Sequence, residues 1–96
     1  MFEVPTTGFV FVKFSATWCA PCKAMIPTVE KLEKEFSGTV IFKHVDIDED
    51  PSLTKKYSIR SVPLVILFKD GVEVSRINGL YREDFLRQKI KETFDI

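Results

Sequence analysis

Little in this chain points to a membrane or to nucleic acid. Lysine plus arginine and aspartate plus glutamate number 14 each, so no net charge draws it toward a polyanion or an acidic bilayer. Long apolar runs are missing too. The best, residues 9–12 and 63–68, fall far short of the ~20 residues that a membrane-spanning helix needs. The first residues, Met1-Phe2-Glu3-Val4-Pro5, show no basic region followed by an apolar stretch, which argues against a secretory signal and makes the cytoplasm the expected address. Cysteine is scarce, with two residues, Cys19 and Cys22. In a reducing compartment such a pair points to catalysis or metal binding rather than to a structural staple. Glycine-rich phosphate loops, repeats, low-complexity tracts and linkers are all missing, so residues 1–96 read as a single domain with one core.

What is present suits a folded globule: 45% hydrophobic and 29% charged residues, with nine Phe to fill the core with aromatic bulk. Residues 9–14 (FVFVKF), rich in Val and Phe after Gly8, read as a buried strand. Ile26, Val29, Leu32 and Phe36 recur at helical spacing and predict a helix over residues 21–36, stopped by Ser37-Gly38. Pro27 lies inside that pattern and should kink the helix without ending it, because the periodicity continues beyond. Residues 40–46 form a second strand. Asp46, Ile47, Asp48, Glu49 and Asp50 make an acidic run that reads as a solvated loop. Asp50-Pro51 caps and starts a short helix to about residue 57. Residues 64–69 are continuously apolar, a strand covered on both faces. Asp70-Gly71 signals a two-residue hairpin into residues 72–77. Phe85, Leu86, Ile90 and Phe94 mark one face of a closing helix, with Arg82 to Asp84 at its start. The early alternation of strand and helix predicts parallel units with a right-handed crossover, and the end predicts an antiparallel hairpin. The expected fold is α/β: a mixed sheet of about four strands with helices on both faces.

The chemistry sits in Trp18-Cys19-Ala20-Pro21-Cys22-Lys23, directly after a strand and at a helix start. Pro21 suits the first helical position, where a missing N–H costs nothing. Cys19 then faces the unpaired N–H groups and positive dipole of the helix end. Both favour a thiolate and make Cys19 the nucleophile. Cys22 follows about one turn later, close enough to close a small disulfide ring and more covered, which suits a resolving thiol. Cys19 attacks a partner disulfide, Cys22 displaces the partner, and an external reductant restores the dithiol. Trp18 is expected beside the disulfide as an apolar platform. A Cys-x-x-Cys is also half of a zinc site, but structural zinc takes four ligands, and the chain adds only His44 and scattered carboxylates. A metal or iron–sulfur cluster bridging two chains is the remaining metal reading. His44 reads as an ordinary strand residue.

Ser15-Ala16-Thr17-Trp18-Cys19-Ala20-Pro21-Cys22-Lys23 resembles the active-site segment of the thioredoxin family, with Ala20 where the commonest version has glycine. The resemblance covers nearly the whole chain. Pro27 resembles the family's helix proline, Val45-Asp46-Ile47-Asp48 with Pro51 its second core strand and loop, Tyr57-Ser58-Ile59-Arg60-Ser61-Val62-Pro63 its cis-proline approach, and Phe68-Lys69-Asp70-Gly71 its hairpin. It implies a cis Val62-Pro63 peptide standing against the disulfide. It also implies a docking surface of Trp18, Ala20, Pro21, Val62, Pro63 and Gly79 that pairs with an extended segment of the partner. The implied activity is general protein-disulfide reduction by a monomer with no bound cofactor beyond the redox-active Cys19–Cys22 disulfide. Electrons would come from NADPH through thioredoxin reductase, and disulfide-containing proteins would be the substrates. An oxidase or isomerase role uses the same chemistry. A binding subunit whose redox activity is secondary is the alternative of a different class.

Two departures from the family stand out. Where it usually buries an aspartate under the second cysteine, this chain has Lys13, and the lysine that often partners that aspartate maps onto His44. Proton removal from Cys22 then falls to Lys13, to water or to the departing thiolate. A buried amine with a lowered pKa can act as base, whereas a snorkelling lysine merely carries its charge to the surface. Secondly, eight residues precede Phe9, so the family's N-terminal strand and helix are reduced or missing. Residues 40–46 should then lie at the sheet edge, guarded by Lys43 and His44 or covered by residues 2–4.

Overall fold

A strand that is apolar on both sides has to be covered on both sides, and the first strand, β1 (Phe9–Ser15), sets the architecture for that reason. The computed structural model describes residues 3–96. After β1 come α1 (Ala20–Glu35), β2 (Val40–Asp46), α2 (Pro51–Lys56), β3 (Leu64–Lys69), β4 (Val72–Asn78) and α3 (Glu83–Phe94). The four strands form one sheet in the order β2-β1-β3-β4, with β1 parallel to β2, antiparallel to β3, and β3 antiparallel to β4.

Side chains alternate across β1 and sort the core into two layers. Phe11 meets Met25, Val29 and Leu32 of α1 and Leu86, Ile90 and Phe94 of α3. Val10, Val12 and Phe14 face the other way, with Leu53 of α2 and Leu64, Ile66 and Phe68 of β3. Helices thus cover both faces, and β3 is buried from Leu64 to Phe68 as its unbroken apolar run predicts.

Several local expectations need correction. The parallel alternation holds only for β1 and β2, because β3 runs antiparallel to β1. A six-residue α2 spans only about 9 Å, less than half the roughly 20 Å that a parallel return along the sheet requires. On α1 the buried positions are Cys22, Met25, Val29 and Leu32, while Ile26 is 43% exposed. Phe85 is likewise exposed and stacks on Tyr81 instead of entering the core. Helix α1 runs through Pro27 unbroken.

The hairpin follows the local chemistry. Asp70 and Gly71 both take positive φ, 51° and 83°, the pair of left-handed residues that a type I′ turn demands. Asp70 also binds the start of β1, accepting from the Gly8 N–H at 2.8 Å through Oδ1. Among the described residues the β2 strand lies at the sheet edge. Residues 3–5 carry no strand, and Val4 packs on the α2-side core instead. Phe2, the other part of the expected cover, lies outside the described residues.

Candidate active site

Where β1 leaves the sheet, the chain turns at once into α1. The Cys19 N–H donates to the Ala16 carbonyl at 3.2 Å, and Cys19 itself is the N-cap, with extended φ −96° and ψ 105°. An N-cap side chain normally accepts from a first-turn N–H through oxygen. Here sulfur takes that part, as the Cys22 N–H donates to Cys19 Sγ at 3.2 Å. Ala20 opens the helix and Pro21 follows within the first turn, one position later than the sequence suggests and equally free of cost. No acidic side chain in that first turn offsets the positive helix end in front of Cys19.

The two cysteines are joined as a disulfide, their Cα atoms 5.3 Å apart. Cys19 is 5% exposed and Cys22 2%. Ala16 packs with them, and Ile47 and Val62 lie against the group. Val62 comes from the loop before β3, where the Val62-Pro63 peptide is cis, as the family resemblance implies. Pro63 is buried, and its carbonyl accepts from the Gly79 N–H at 2.9 Å. Gly79 has φ 108°, a conformation that side chains avoid. Of the expected groove residues, Val62 lies against the disulfide, Pro63 follows it through the cis peptide and holds Gly79 by a hydrogen bond, and Trp18, Ala20 and Pro21 are exposed next to Cys19 in the chain.

Trp18 departs from its expected place as a packed platform. It is 67% exposed, and its indole Nε1–H donates to Asp48 Oδ2 at 2.9 Å. The acidic run is accordingly more than solvated loop. Asp46 Oδ1 accepts from the N–H groups of Asp48 and Glu49, at 2.8 and 3.3 Å, and builds the turn that presents Asp48. Asp50 caps α2 by accepting from the Leu53 N–H at 3.1 Å. The Asx-type spacing of Asp46 and Asp48 is the signal that could have found this turn, though not its indole partner. Because the Trp18 indole can rebond to water, Asp48→Ala should change stability by no more than about 0.5 kcal/mol. It should, however, speed the ring's motion, read as a fall in Trp18 fluorescence anisotropy.

Lys13 is the one buried charged residue among those described, 5% exposed. It lies on the α1 side of the sheet, two residues along from Phe11. It lines an open cleft of about 380 Å³ together with Ser15, Ala16, Thr17, Cys22, Lys23, Ile26 and Asp46. Burial lowers its pKa from the ordinary lysine value, partly countered by the Glu30 carboxylate. His44, its neighbour on β2, sits at the surface with Nε2 3.3 Å from Glu33 Oε1, an ordinary strand residue. Among the described residues no cluster of three or more His, Cys, Asp or Glu could hold a metal ion. No helix among them is long and apolar enough to cross a membrane.

A disulfide formed across the first turn of a helix, with one sulfur capping that helix, defines a dithiol–disulfide oxidoreductase site. The comparisons with known proteins agree. The sequence model of the Thioredoxin family matches residues 3–92. The thioredoxin of Chlamydia caviae is 45% identical over 86 residues, covering 90% of this chain and 83% of the relative. That of Staphylococcus aureus is 38% identical over 82 residues, covering 85% and 79%. A solved mutant thioredoxin from Halobacterium salinarum superposes with a TM-score of 0.84 at 33% identity, covering 94% of this chain and 78% of that one. The chain belongs to the Thioredoxin family, with a thioredoxin-like fold and the activity of a protein dithiol–disulfide oxidoreductase.

Proposed function

We propose that this chain is a general reductant of protein disulfides in which Cys19 is the nucleophile and Cys22 the resolving thiol. The observation that carries the assignment of roles is the cap: Cys19 Sγ accepts the Cys22 N–H at the positive end of α1, whose first turn holds no acidic side chain. Groups that stabilise negative charge on one sulfur lower its proton affinity and free it to attack at neutral pH. The substrate's extended backbone docks along Trp18, Ala20, Pro21, Val62, Pro63 and Gly79, a reading supported by Val62 packing against the disulfide and by the cis peptide that joins it to Pro63. Backbone pairing of that kind needs little sequence specificity, which fits a reductant with many targets. Residues 1–96 act as one domain and as a monomer in the cytoplasm, reloaded by NADPH through thioredoxin reductase, with no bound cofactor.

The test is insulin reduction, followed by precipitation of the freed chains, with dithiothreitol or with NADPH plus thioredoxin reductase as electron source. Catalytic amounts of the wild type should accelerate precipitation in both formats, and Cys19→Ser should fall back to the rate of reductant alone. An unaccelerated wild type would sink the reductase reading.

A further inference from the structure

The mechanism above leaves one buried charge without a task. Lys13 stands on the α1-facing side of β1, 5% exposed, in the middle of an otherwise apolar strand. Putting an amine there costs desolvation, and replacement by an apolar residue would remove the cost. Its side chain is not sealed into the core, because Lys13 lines the cleft that Cys22 also lines.

Resting on the reading of Cys22 as the resolving thiol, we infer that Lys13 is a positioning residue whose ammonium, facing Cys22 across this cleft, holds Cys22 toward the thiolate. Two carboxylates line the openings that Lys13 lines. Asp46 of β2 lines the shared cleft, and Glu30 of α1 lines the adjoining opening with Lys13 and His44. The other cation facing the cleft is Lys23 of α1, which is exposed. His44 of β2 is held by Glu33 at the surface. Burial lowers the Lys13 proton affinity from the ordinary lysine value, and the Glu30 charge counters part of that fall in favour of the ammonium form.

The consequence falls on the second half of the exchange. Cys22 loses its proton to the cleft water, and its thiolate attacks Cys19 Sγ in the mixed disulfide. The Cys19–substrate S–S bond breaks, and the substrate sulfur leaves as a thiolate that takes a proton from solvent. Two electrons have then passed from the dithiol to the substrate. Burial alone would raise the Cys22 thiol, starving this step of thiolate. A nearby ammonium opposes that rise.

The experiment titrates the reduced protein by NMR, with ¹³Cβ-labelled cysteine and ¹⁵Nζ-labelled lysine. Lys13→Met should raise the Cys22 inflection by about one unit, a tenfold loss of thiolate at neutral pH. Lys13→Arg, which keeps the charge, should leave it within a few tenths. Because a more basic thiolate is also the better nucleophile, the resolving step should slow by only roughly threefold in Lys13→Met at pH 7. Its disadvantage should vanish at alkaline pH. Reciprocally, in the wild type the Lys13 inflection should lie higher in the reduced protein than in the disulfide form, since only the former offers it a thiolate. An unmoved Cys22 inflection in Lys13→Met overturns the proposal, and so does a rise in Lys13→Arg equal to that in Lys13→Met. Should Lys13→Met fail to fold, identical Lys13 inflections in the two wild-type redox forms overturn it alone. These are proton equilibria that need no turnover, so their failure is distinct from a failure to reduce insulin.

Discussion

Cys22→Ser is expected to stall on its substrate, accumulating a stable mixed disulfide through Cys19 and losing at least about a thousandfold in steady-state disulfide reduction. The reason is geometric. With Cα atoms 5.3 Å apart, the second sulfur is already in place when the first has reacted. Well-oriented intramolecular groups reach effective concentrations of about 10⁵ M or more, against which a millimolar external thiol is a poor substitute. Burial of the pair, 5% and 2% exposed, limits external thiols further. Intact mass spectrometry and non-reducing gels should show one substrate adduct per Cys22→Ser molecule. Cys19→Ser should show none at neutral pH, because its remaining sulfur lacks the cap position. Adduct formation on Cys19→Ser instead would reverse the two roles and remove the argument from the helix end.

The helix-end placement of Cys19 is legible in the sequence for a physical reason. A strand rich in Val and Phe, a Cys-x-x-Cys and a proline in the first helical turn are local signals, and they place Cys19 on a helix end whatever the rest of the chain does. The hairpin at Asp70-Gly71 was legible on the same grounds, since both residues tolerate the positive φ found there. What stayed hidden depends on contacts across long stretches of sequence. Trp18 and Asp48 are 30 residues apart, and nothing in the acidic run says which of its carboxylates turns toward the indole. The alternation of strand and helix suggests a parallel β3, whereas the shortness of the helix after Asp50-Pro51, legible in itself, is what forbids it. Ile26 and Met25 are adjacent and both apolar. Only the rotation of α1 against Phe11 decides that Met25 goes inside while Ile26 borders the Lys13 cleft.

The same limit makes two phenylalanines into a sharp test of the core. Phe11→Ala should cost about 3–5 kcal/mol, as expected for an aromatic deleted from a packed interior. Phe85→Ala should cost under about 1 kcal/mol. Phe11 is 0% exposed and stacks on Phe42 with ring centroids 4.5 Å apart, at the point where α1 and α3 both press on the sheet. Phe85 also stacks, on Tyr81 at the same 4.5 Å, but 42% of it remains in water, so its loss opens no sealed cavity. Ring stacking is therefore held constant between the two, and burial is what differs. For a domain of this size, whose total stability is of order 5–15 kcal/mol, the first loss should lower the melting temperature by roughly 15–30 °C. The second should be barely visible in the same thermal scan. Below its own melting point Phe11→Ala should still reduce insulin, since the ring touches neither sulfur. Loss of activity in the folded variant would mean that the α1 cap moves with its packing, tying the reactivity of Cys19 to the core beneath it.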